Sequence, residues 1–192
     1  MGRLIPTSLA AHYVLTGIHS PLRFGVIETQ DGFIRSIQSK VPFVEKSSIV
    51  FKNGIIIPPA PLRRTDPSLP TQLTDAWGSS TETRSDLLTL WEQYCAHKRD
   101  YRTVLFRLQE IYPQAQLTSL LRFWLGLFTS NDEQQNGDKG PYLYPGSPAR
   151  FISIQHFNFD QFRLSDQSRL EEIDWTLTNQ STYKNEQPAR TD

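Results

Sequence analysis

The sequence predicts a mainly β protein with two or three helices inserted between an N-terminal and a C-terminal group of strands. Three observations carry this. β-type runs punctuated by Asp-Gly and Asn-Gly pairs occupy residues 9–57. Apolar residues at helical spacing occupy 82–128, and β-type runs resume over 150–175. Between the first strands and the helices lies a stretch too rich in proline to be either.

Tyr13-Val14-Leu15-Thr16 with Ile18 reads as one short strand, and Phe24-Gly25-Val26-Ile27-Glu28-Thr29 as a second. The pair Asp31-Gly32 then precedes Phe33-Ile34-Arg35-Ser36-Ile37. Two β-type runs joined through such a pair predict a hairpin, because glycine takes positive φ without steric cost. Ser48-Ile49-Val50-Phe51 leads into Asn53-Gly54, a second turn signal by the same rule, followed by Ile55-Ile56-Ile57. Three consecutive isoleucines suit a strand buried on both faces.

Pro58, Pro59, Pro61, Pro67 and Pro70 mark residues 58–81 as an extended connector, since proline removes the backbone donors of helix and central strand. Leu87, Leu88, Trp91, Tyr94 and Cys95, then Tyr101, Leu105, Leu108 and Ile111, recur at helical spacing, so 82–111 reads as helical up to Pro113. A further helix is expected over 117–128. Its Leu120, Leu121, Phe123, Trp124, Leu125, Leu127 and Phe128 leave little polar face, so it must be largely covered. The cover is either the sandwich or a second chain. Residues 129–141 form a polar loop. Arg150-Phe151-Ile152-Ser153-Ile154 and Leu170 to Trp175 read as strands, and 176–192 as a flexible polar tail. The domain organisation expected is therefore 1–57 with 142–175 as one composite β unit, 58–81 as connector and 82–128 as a helical insertion. The two strand groups are expected to meet in one sheet system.

With 192 residues, the chain suits one domain of ordinary size but not a (β/α)8 barrel of roughly 250 residues plus a second domain. Its 38% hydrophobic residues support a packed core. Twenty basic residues balance twenty acidic ones, which gives no electrostatic case for nucleic acid or an anionic membrane and favours self-association. Cys95 is the single cysteine, so an internal disulfide framework and a cysteine-rich zinc site are excluded. No run is apolar for the roughly 18 residues that a membrane span takes, and Met1 to Pro6 lacks the apolar core of a signal peptide. A soluble cytoplasmic protein is the expectation.

Several motifs, in order, resemble the amidohydrolase superfamily, closest to its aminodeoxyfutalosine deaminase-like and chlorohydrolase-like members. Lys52-Asn53-Gly54-Ile55-Ile56-Ile57-Pro58 is similar to the family's run into its first barrel strand. Leu73-Thr74-Asp75-Ala76-Trp77-Gly78-Ser79-Ser80 resembles the segment ending the eighth barrel strand, whose aspartate binds the metal and shuttles protons. Pro148-Ala149-Arg150-Phe151-Ile152-Ser153-Ile154 looks like the strand that re-enters the family's small β-sandwich, and Leu164-Ser165 to Arg169 resembles its C-terminal segment. In that family the terminal strands form a composite β-sandwich beside the barrel. The resemblance thus implies a composite β-sandwich here, with most of the barrel deleted between Pro58 and Asp75.

The chemistry is what departs. Where the family continues with a His-x-His pair that holds the catalytic metal, this chain has Pro59-Ala60-Pro61-Leu62-Arg63-Arg64. The four histidines, His12, His19, His97 and His156, include no His-x-His or His-x3-His pair. Without converging ligands there is no metal to activate water. Asp75 matches the family's metal-binding aspartate, and its bland reading is a turn cap or a solvated acid. Cys95 and His97, two residues apart on a helix, point about 200° apart and form no dyad. The Arg63-Arg64 pair reads as a solvated linker.

The expectation is thus a degenerate, non-catalytic amidohydrolase-like protein, a pseudoenzyme with no catalytic residue. No cofactor is expected, with zinc or iron only if the family site were rebuilt. Its partners would be itself or another protein, through the 117–128 helix. The alternative is a metal-dependent hydrolase acting on C–N bonds, its ligands completed by a partner chain.

Overall fold

The computed structural model describes residues 7–39, 49–61, 80–128 and 142–176. It contains β1 (Thr7–Val14), β2 (Leu22–Gln30), β3 (Phe33–Ser39), β4 (Ile49–Ile57), α1 (Thr81–Cys95), α2 (Tyr101–Ile111), α3 (Leu117–Gly126), β5 (Arg150–Gln155) and β6 (Arg169–Asp174). Asp75, Arg63-Arg64, most of the connector, the polar loop 129–141 and the tail from 177 lie outside the described residues. The architecture is mainly β with inserted helices, as the sequence predicts, and it falls into two compact units. One takes the six strands; the other takes the three helices and the segment 156–168.

In the sheet unit the strand order is β3-β2-β1-β4-β5-β6. All neighbours are antiparallel except β1 and β4, which run parallel. The β2–β3 hairpin closes on Asp31 and Gly32, both at positive φ (54° and 81°). Two residues at positive φ are the signature of a tight turn whose twist matches that of the flanking strands. The N- and C-terminal strands meet where Ile55, Ile56 and Ile57 pair with Ile154, Ser153 and Ile152. All three isoleucines are fully buried, as three apolar residues in a row demand of a strand covered on both faces.

The sheet also folds over on itself. Residues 146–149, just before β5, run beside the start of β3: Ile34 donates to the Ser147 carbonyl at 2.8 Å, Gly146 to Ile34 at 2.7 Å and Ala149 to Gly32 at 2.8 Å. Inside this sandwich-like fold lie Leu9, Ala11, Val14, Ile27, Ile34, Ile56, Leu143, Ala149, Phe151 and Ile173. Leu9 and Ala11, two apart on β1, and Ile27, the partner of Leu9 on β2, share one face, the alternation that one covered face of a sheet produces.

Asn53-Gly54 is not the turn its chemistry suggests; it lies inside β4. Ala11 pairs with Lys52 and Tyr13 with Ile55, so Asn53 and Gly54 together oppose the single residue His12 in a β-bulge. Gly54 has φ 145°, and a Cβ there would stand 1.9 Å from the Ile154 carbonyl oxygen. A turn and a bulge ask the same thing of glycine, positive φ and a bare Cα, and so look alike in sequence.

At the far side of the sheet, β6 is an edge rich in acid: Glu171, Glu172 and Asp174. Glu171 accepts both oxygens' worth of hydrogen bonding from Lys52 (3.0 and 2.9 Å). The Thr176 hydroxyl first, and then the Thr176 amide and the Arg150 guanidinium at 3.2 Å, hold the Asp174 carboxyl below the usual carboxylate range. A lowered carboxyl contributes stability above its unfolded-state pKa and loses it as pH falls through the folded one.

In the helical unit, residues 82–111 are two helices rather than one. α1 ends in a Schellman motif: His97 at φ 59° donates to the Tyr94 carbonyl, and Lys98 donates to Gln93 at 2.8 Å. Asp100 then caps α2, its Oδ1 accepting from the Thr103 amide at 2.7 Å. The apolar spacing runs through this break, which is why periodicity alone joins the two. Leu87, Leu90, Trp91, Tyr94 and Cys95 of α1 are buried, as are Tyr101, Val104, Leu105 and Leu108 of α2.

Gly54→Ala is expected to destabilise the chain by about 2 kcal/mol or more, because clash and backbone strain act together. Gly126→Ala, at a helical position with open space around the added methyl, is expected to stabilise by about 0.5–1 kcal/mol. Urea unfolding of both variants reads this directly; equal effects would show that the bulge does not constrain the sheet.

Candidate functional site

The four histidines occupy four separate segments. His12 lies on β1, its ring edge-on to Phe51 at 5.2 Å and tilted toward Phe24 at 6.3 Å. His19 is exposed in the β1–β2 loop, its amide donating to the Thr16 hydroxyl at 3.2 Å. His97 forms the end of α1. His156 is exposed just after β5 at φ 54°, and its carbonyl accepts from the hydroxyls of Ser165 (2.7 Å) and Ser168 (3.0 Å). Among the described residues no three His, Cys, Asp or Glu side chains group as metal ligands would. Cys95 is buried at the last position of α1, whereas His97 is exposed in the turn after it.

After β4 the chain enters Pro58-Pro59-Ala60-Pro61. The Pro61 carbonyl accepts a 2.8 Å hydrogen bond from the buried Tyr94 hydroxyl on α1. Proline supplies no N–H, so this carbonyl is what the backbone can offer there, and Tyr94 takes it up as a structural anchor.

The interior of the helical unit is aromatic. Trp91 packs on Trp124 at 5.9 Å and on Phe128 at 4.7 Å, and Tyr94 lies edge-on to Trp124 at 5.5 Å. Edge-to-face geometry sets the positive rim of one ring against the negative face of the next. Of the apolar residues in 117–128, Leu117, Leu120, Leu121, Trp124, Leu125, Leu127 and Phe128 are buried within the chain. Phe123 is half-buried beside Tyr112. Among the described residues, the indole nitrogens of Trp91 and Trp124 and the Tyr101 hydroxyl find no hydrogen-bond partner in this interior. Burial, with the nearby Tyr94 adding to it, pushes the Tyr101 phenol upward, so it stays neutral.

The segment 156–168 is tied to the helices by polar groups that the sequence does not advertise. The Gln109 side chain donates to the Leu164 carbonyl and accepts from the Leu164 amide, both at 2.9 Å. The Arg163 guanidinium donates to the Gln109 carbonyl at 3.1 Å and to Pro113, satisfying carbonyls at the end of α2. The Leu117 amide, which α3 cannot satisfy itself, donates to Phe162 at 3.0 Å. Within the segment, Asn158 and Arg163 exchange two main-chain hydrogen bonds of 3.0 Å, and Phe157 packs on Phe159 and Phe162. The contacts between the segment and the helices join residues about fifty positions apart, so local spacing carries no trace of them.

No known protein-family model matches the sequence, and no curated protein does. Among solved structures, A. niger ochratoxinase shares 12% identity with this chain, over 55% of this chain and 22% of the other, with a TM-score of 0.25. The chain thus spans about a fifth of that protein's length, and a likeness of this grade carries no argument.

Gln109→Leu is expected to cost about 1–2 kcal/mol by leaving the Leu164 amide and carbonyl unpaired. Tyr94→Phe should cost about 1 kcal/mol through the lost Pro61 bond, whereas Tyr101→Phe, which removes only an unpaired hydroxyl, should be neutral or stabilising. Thermal or urea unfolding distinguishes them; a marked loss in Tyr101→Phe would mean that this hydroxyl has an acceptor in solution.

Proposed function

We propose that the chain is a degenerate, non-catalytic relative of the amidohydrolases that acts through protein–protein contact or self-association. The observation that carries this reading is the substitution at the end of β4. Pro59-Ala60-Pro61 stands where the resembled family has its metal-binding histidine pair. The backbone there is engaged by Tyr94. Hydrolysis of a C–N bond by the family mechanism requires a metal ion to bring the pKa of bound water toward neutrality. None of this chain's histidines lies at His-x-His or His-x3-His spacing.

The sheet gives the reading its other support. Strands from both ends of the sequence are paired through β4 and β5, the arrangement expected of a composite unit that has outlived what once lay between its halves. The apolar side chains of α3 are largely buried within the chain, so a partner would meet that helix through Phe123 and its polar face. Exposed apolar groups elsewhere, Phe33 and Val50 above all, offer further contact surface.

Purified without chelators or a histidine tag, the protein is expected to hold zinc, iron and manganese far below one equivalent, with Asp75→Asn no different. One equivalent of metal, lost in Asp75→Asn, would overturn the proposal and make the chain a metal-dependent hydrolase. Light scattering at micromolar concentration is expected to give a dimer; a monodisperse monomer would count against self-association and leave a heterologous partner.

A further inference from the structure

We draw no further inference here: the strongest candidate, the buried cluster of Trp91, Tyr101 and Trp124 side chains in the helical unit, whose indole N–H groups and hydroxyl find no acceptor among the described residues, carries nothing because nothing in the structure shows a cavity beside them or one point on which the three donors converge.

Discussion

The pairing of β4 with β5 is the interaction on which the rest of the sheet depends. It joins a four-stranded N-terminal group to a two-stranded C-terminal one across about ninety intervening residues. Closing so long a loop carries an entropic cost that rises only slowly with length, but no local hydrogen bond repays it. What repays it is burial: Ile55, Ile57, Ile152 and Ile154 are withdrawn from water almost completely. Gly54 makes the approach possible, because only a residue without Cβ lets the Ile154 carbonyl come so close.

Much of this was legible in the amino-acid pattern, and the parts that were not share a cause. Asp31-Gly32 and the β-type runs that flank it announced the hairpin, and the isoleucine triplet announced a strand covered on both faces. Periodicity ran straight through Ala96 to Asp100, although an Asp just ahead of an apolar-periodic run is an N-cap signal that marks a new helix. Asn53-Gly54 stated the backbone conformation but not its use, which was decided by a strand a hundred residues away. Gln109 and Arg163 look like ordinary surface residues. Their partners are main-chain atoms, which have no signature of their own. Of the residues singled out for chemistry, Cys95 and His97 are described and form a helix end, while Asp75 falls outside the described residues.

The two units solve the problem of polar backbone differently. In the sheet, strands satisfy one another and the outer strand β6 is left with Glu171, Glu172 and Asp174, whose charges discourage another strand from adding there. In the helical unit the ends of α2 and the start of α3 are satisfied by the returning segment 156–168 instead of by water. That segment works as an external cap. The aromatic interior is less frugal, burying three donors that find no acceptor among the described residues, a cost of about 1–3 kcal/mol each that close ring packing must offset.

The interleaving has a consequence for biosynthesis. At a translation rate of about 5–20 residues per second, β4 leaves the ribosome roughly ten seconds before β5 follows it. Throughout that interval β4, the most apolar of the described strands, waits for its partner along one edge. The helices, made in the meantime, still lack the segment that completes them. Neither unit is complete until residues beyond 150 have been made, so both stay unfinished through most of synthesis.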